Sequence, residues 1–217
     1  MMFIERKPMM GKKIIAIAAV LLAAVFMFQS CASLTDFASI LAQLQRLKFK
    51  LGSVESFSLA GISLGNKASL NDFSVQDGLK LAQLFGQKKL PVEFILNVIA
   101  INPNDGTAGK VKSGATLSGL SARLLIDGQP TVYGDIDSPI EIPGTGQETI
   151  FPLRLSLDLY EFFGNQGLDK LLQLALAIGG RSGSSSRLAL DIQPKVVTPF
   201  GEIKYPERII IVDKEFR

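Results

Sequence analysis

The chain has 217 residues, with 23 Lys or Arg, 20 Asp or Glu, no His, no Trp and one Cys. Without histidine no Ser-His-Asp or Cys-His arrangement can form, and the commonest zinc ligand is missing. The glycine-containing stretches Gly61-Ile-Ser-Leu-Gly65 and Gly179-Gly180 lack the Lys-Ser/Thr that completes a phosphate loop.

The first 30 residues read as a leader. Arg6, Lys7, Lys12 and Lys13 precede an uninterrupted apolar run from Ile14 to Met27, and Phe28-Gln29-Ser30-Cys31 closes it. As a helix the run would span about 21 Å, short of the roughly 20 residues that cross a bilayer but normal for a signal h-region. The closing tetrapeptide resembles a bacterial lipobox. That resemblance makes Cys31 the lipidated residue, its thiol becoming a thioether to diacylglycerol. Acyl chains contribute about 0.8 kcal/mol per buried CH₂, so two or three anchor a protein durably. The expected partner is a membrane, held through Cys31, and the expected location is the periplasmic face of the outer membrane. Ala32-Ser33 follows the cysteine, with no Asp of the kind that resembles an inner-membrane retention signal.

Removing the leader changes the charge. Residues 1–30 hold four of the 23 basic residues and one of the 20 acidic ones, so 19 of each remain. The overall pI near 9.0 belongs largely to the leader. A neutral domain argues against nucleic acid as partner, which requires clustered positive charge. Residues 31–44 read as a tether or short helix, and residues 45–217 as one domain with its own core.

Most of that domain reads as strand. Leu47-Lys-Phe49-Lys-Leu51 alternates, and Ser56 to Leu64 reads as a second strand broken by Gly61 and Gly65. Ser74-Val-Gln-Asp77 has the form of a capping box before a short helix through Leu79, Leu81, Leu84 and Phe85, with Gly86 as its stop. Val92 to Ile101 is apolar on both faces, as in a central strand covered on both sides. It closes in Asn102-Pro103-Asn104, where proline lacks a ladder N–H and asparagine can bond local backbone. Ala115 to Ile126 is a strand, Asp127-Gly128 a tight turn, and Thr131 to Ile142 the returning strand, interrupted at Pro139. Phe151, Leu153, Leu155, Leu157 and Leu159 alternate with polar residues in a half-buried strand. Leu168 to Ile178 is a second helix; apolar helical stripes usually cover a core, and its Leu171, Leu174 and Ile178 are the candidates for contact with an apolar ligand. Strands over Leu188–Ile192 and Ile209–Val212 complete an antiparallel β-sandwich with two short cover helices.

Paired carboxylates are the only acid/base chemistry left. Asp135 with Asp137, and Asp105 beside Asn104, are near in sequence, but both lie among turn residues.

The order of elements carries a resemblance. Phe57 to Ile62, the capped helix, and the long apolar strand closing in Asn102-Pro103 resemble the type 2 late embryogenesis abundant family, the water-stress and hypersensitive-response (WHy) domain, over about residues 45–198. The hairpin from Ala115 to Gly134 fits as well. The helix at Leu168 reads as an insertion. The resemblance implies an immunoglobulin or fibronectin III-like sandwich, an association with desiccation and stress tolerance, no catalytic residues and no cofactor. Three function classes follow: a non-enzymatic, lipid-anchored envelope domain that binds a partner protein or stabilises its surroundings; a carrier or sensor of lipids or other apolar ligands; and a carboxylate hydrolase, which needs two acids converging in a cleft.

Overall fold

The computed structural model describes residues 38–107 and 112–213. Cys31 and the residues expected to form a leader lie outside these residues. The chain divides into two compact units, Met1–Ala42 and Gln43–Arg217, and the fold is that of the second. Residues 38–44 are helical.

Strand β1 (Lys48–Leu59) buries Phe49, Leu51, Phe57 and Leu59. The two strands expected here are one. Bulges between Leu51 and Val54 and between Glu55 and Ser58 absorb the breaks in alternation, and Ser56 takes a left-handed φ of 53°. Ala60 and Gly61, both at positive φ, then turn the chain into β2 (Ile62–Ser63).

Helix α1 (Val75–Gly86) starts at the expected box: Asp77 N donates to Ser74 Oγ at 3.0 Å, and Ser74 N to Asp77 Oδ2 at 3.1 Å. Gly86 is its last residue, as expected. Lys88, at φ 60°, supplies the left-handed residue that ends it. Of its side chains only Leu81 is buried.

Strand β3 (Pro91–Ile101) is central, between β1 and β7 (Glu148–Asp158), in a sheet ordered β2-β1-β3-β7. The second sheet is ordered β10-β8-β4-β5, from Ile209–Ile211, Leu188–Thr198, Ala115–Ile126 and Gln129–Gly134; β6 (Ile140–Ile142) pairs with β4, and β9 (Gly201–Lys204) with β8. All pairings are antiparallel. The core lies between the sheets, with Phe49, Leu96, Val98 and Leu153 on one side and Leu117, Leu124, Leu190 and Ile192 on the other.

The expected return from Thr131 to Ile142 is split into β5 and β6, because residues 135–139 leave the ladder at the proline. Leu159, expected in β7, instead opens a further short helix, α2 (Leu159–Phe163). Asp158 Oδ1 accepts from Tyr160 N at 2.9 Å and Leu90 N at 2.7 Å, so one carboxylate ends the strand and caps the helix. Helix α3 (Leu168–Gly179) follows.

The sandwich has two distinct ends. α1, α2 and the Asp127-Gly128 turn gather where β1 finishes and β3 begins, since Leu59 pairs with Val92 and Leu90 N reaches Asp158. At the other end Lys48 pairs with Ile101, and the Asn102-Pro103-Asn104 segment follows.

Candidate functional site

The Asn102-Pro103-Asn104 segment is the most polar part of the core: Asn102 is 0% and Asn104 2% exposed. Asn102 Nδ2 donates to Ser113 O at 2.7 Å and Ile142 O at 3.1 Å. Its Oδ1 accepts from Asn104 N at 3.1 Å and Asn104 Nδ2 at 2.9 Å. Asn104 Nδ2 also donates to Gln43 O at 2.9 Å. Backbone bonds from Gly146 N to Asn102 O and from Ser113 N to Asn104 O close the cluster. Two carboxamides thus tie the end of β3 to the start of β4, the end of β6 and the first residue of the unit. Asn104 Oδ1 is buried without a hydrogen-bond partner. Gly144 is required beside them, because a Cβ there would lie 2.5 Å from both Asn104 O and Ser113 O.

The acidic pairs do not converge. Asp135 Oδ1 accepts from Leu120 N at 2.5 Å and Ile136 N at 2.8 Å, filling the bulge of β4 near Gly119. Asp137 instead meets Arg154 at 3.6 Å in an exposed pair. Asp105 Oδ1 accepts from Thr107 N and Oγ1 at 3.0 and 2.7 Å, closing its own turn. Asp72 and Asp77 serve helix starts. Backbone N–H donors from Ala68 and Ser69 hold the Asp72 carboxyl below its ordinary pKa, and Ser74 N–H does the same for Asp77.

Leu171, Leu174 and Ile178 are all buried. Of the two roles open to α3, the structure gives these side chains the core-covering one. Gly179 meets Phe57 so closely that an added Cβ would lie 2.0 Å from the ring.

Sequence reasoning missed one ionic cluster. Asp191, 4% exposed on β8, accepts from Arg123 Nη2 at 2.5 Å and Arg208 Nε at 2.6 Å. Arg208 Nη2 donates further to Asp191 O and Ser121 O. The bond to Asp191 raises the pKa of Arg123 further above its ordinary value. The one available signal was Asp191 itself, a lone charge inside the apolar strand Leu188–Ile192. Tyr205 was missed as well: its buried hydroxyl donates to Leu44 O, and burial pushes its pKa up.

Among the described residues, no three His, Cys, Asp or Glu side chains come together as metal ligands, and no helix is long and apolar enough to cross a membrane. The clefts are open. One of about 350 Å³ lies over Ser58, Glu93, Ile95 and Arg154, and one of about 450 Å³ lies beside Tyr205 and Arg208.

These features define a two-sheet antiparallel β-sandwich whose buried polar residues join strands. No family model matches the chain, and no curated protein matches it. Among solved structures it is similar to a protein from Archaeoglobus fulgidus, at 11% identity and a TM-score of 0.33, over 77% of this chain and 93% of that one. It is also similar to a solution structure described as that of a "putative late embryogenesis abundant (LEA) protein", at 13% identity and a TM-score of 0.33, over 98% and 96% of the two chains.

Proposed function

We propose that the chain is a non-enzymatic protein of the cell envelope, lipid-anchored through Cys31 at the periplasmic face of the outer membrane. Its sandwich, of the WHy type, serves stress or desiccation tolerance by binding a partner or stabilising its surroundings.

The observation that carries the reading is how the polar residues are spent. Asn102 and Asn104, at the position of the family hallmark, act as a clamp between strands. Asp135 fills a bulge, and Asp158 caps a helix. Strand order supports the fibronectin III-like form. With β1, β3 and β7 lettered A, B and E, the sheet A-B-E faces G-F-C-C′ formed by β10, β8, β4 and β5. The anchor rests on the leader alone: a basic n-region, 14 apolar residues and a small residue before Cys31.

Two measurements test the reading. Globomycin should make an unprocessed precursor accumulate; processing that ignores the drug removes the lipoprotein assignment. Cells lacking the chain should survive drying and rehydration less well than cells making it; equal survival removes the stress role.

A further inference from the structure

Strand β3 is apolar on both faces, yet only its inner face meets the second sheet. Its outer face presents Ile95, Ile99 and Ile101, each half-buried, beside Ile150 of β7, which is 61% exposed. Around them Glu55, Glu93, Pro152 and Arg154 are exposed, so solvent reaches this face from several sides. An antiparallel sheet with one face in water normally carries polar residues there. We propose that this face docks a second copy of the same chain.

The register shows why a second copy fits. Three rows cross the sheet: Lys50–Ile99–Ile150, then Asn97–Pro152, then Glu55–Ile95–Arg154. A two-fold axis in the interface, perpendicular to the strands at the Asn97–Pro152 row, lays the first row on the third. Lys50 then meets Glu55 of the second copy, Ile99 meets Ile95, and Ile150 lies on the aliphatic stem of Arg154. In the next row outward Lys48, Ile101 and Glu148 lie over Ser58, Glu93 and Ser156 of the second copy, so Glu93 is flanked by one charge of each sign. Such self-matching is what an isologous interface requires. A two-fold axis along the strands would stack Glu93 on Glu93 and set Lys50 against Ile150. The ion pairs Lys50–Glu148, at 3.3 Å, and Arg154–Asp137 would exchange or share partners on docking.

The footprint is small. Three strands of about 11 residues cover roughly 36 by 15 Å, or about 500 Å² a copy, below the roughly 800 Å² per partner of a standard interface. The pairing is therefore weak in dilute solution. Confinement to one membrane would raise the effective concentration, and to that extent the dimer's abundance rests on the lipid anchoring proposed above. The face itself does not.

The test uses the full chain, purified from membranes of a Gram-negative host and placed in phosphatidylethanolamine–phosphatidylglycerol vesicles. Pro152→Cys puts a thiol on the proposed axis, and a short bis-maleimide reads its approach to its own copy. The control is Val197→Cys, exposed on the second sheet. We expect a cross-linked dimer from Pro152→Cys and little from Val197→Cys. In the Pro152→Cys chain, Lys50→Glu or Glu55→Lys alone should lower the yield about two- to thirtyfold, the range for losing two ion pairs per dimer. Both substitutions together should restore it. Equal yields from Pro152→Cys and Val197→Cys overturn the proposal, and so does a double swap no better than the single ones. The anchor is read separately, from the intact mass of the wild-type chain. If Cys31 keeps a free thiol and cross-links by itself, the same series is read in a Cys31→Ser background.

Discussion

Asn102 and Asn104 share one carbonyl oxygen: Asn102 Oδ1 accepts both the backbone N–H and the side-chain Nδ2 of Asn104, at 3.1 and 2.9 Å. The bond frees Asn102 Nδ2 to hold Ser113 O and Ile142 O, and the proline between the two asparagines has no N–H to satisfy. Asn102→Ala leaves two donors and two carbonyls short of a partner in a buried place. At about 1–3 kcal/mol for each buried group left unpaired, we expect a loss of about 3 kcal/mol or more. Denaturant unfolding of wild type and variant measures it. A change under about 1 kcal/mol would show that the clamp is dispensable.

The two aspartates of the turn after β5 should part company. Asp135→Ala uncovers Leu120 N in the bulge and should cost about 1–3 kcal/mol. Asp137→Ala removes only an exposed pair with Arg154 and should change stability by less than about 0.5 kcal/mol. Equal effects in thermal unfolding would contradict their assignment to separate jobs.

Two leucines on different helices make a similar contrast. Leu174 of α3 is 4% exposed, whereas Leu79 of α1 is 68% exposed. Leu174→Ala should cost about 2–5 kcal/mol through lost burial and a cavity. Leu79→Ala should stay within about 0.5 kcal/mol, as at most surface positions. A tolerant Leu174 would reopen α3 as a ligand-contact surface.

Gly179 sets two effects against each other. Alanine is the better helix former by about 1 kcal/mol. Here, though, its Cβ would lie 2.0 Å from Phe57, and forcing atoms into a filled core costs typically about 1–3 kcal/mol. Overpacking wins, and Gly179→Ala should unfold at a lower temperature than wild type. Phe57→Leu in the same chain should recover part of the loss.

Tyr205 predicts alkaline behaviour. Burial raises its folded pKa above the unfolded value near 10, so the folded state holds this proton more tightly. Its stabilising contribution is complete below about pH 10 and is lost as pH rises from there through the folded pKa. Tyr205→Phe should flatten that part of the stability–pH curve. At neutral pH it should cost about 0.5–1.5 kcal/mol, because Leu44 O loses this bond and keeps the one from Leu47 N. Parallel curves for wild type and variant above pH 10 would refute the assignment.

Much of the fold was legible because the signals were local. Phe151 to Leu157 alternate within one strand, Ser74 and Asp77 cap across three residues, and Asp127-Gly128 takes the two positive φ values its turn needs. The failures were at element boundaries. β1 read as two strands because its bulges break the period, and Leu159 read as strand because Asp158, which turns the chain into a helix, looks like any other polar member of the alternation. The site was less legible. Asn102-Pro103 stood out as a motif, yet nothing nearby told whether its side chains face a ligand or the backbone of other strands.

By itself the sequence determined the sandwich class, the two longer helices and the neutral charge of everything after residue 30, since period, caps and composition act over a few residues. Only the tertiary structure decided what the polar groups do. Asn102 meets Ile142 across 40 positions of chain, and Arg123 meets Asp191 across 68. Tertiary structure also left the second apolar face of β3 outside the sandwich. Those outcomes depend on which strands become neighbours, and strand neighbours are chosen by the burial of whole sheet faces rather than by any one segment.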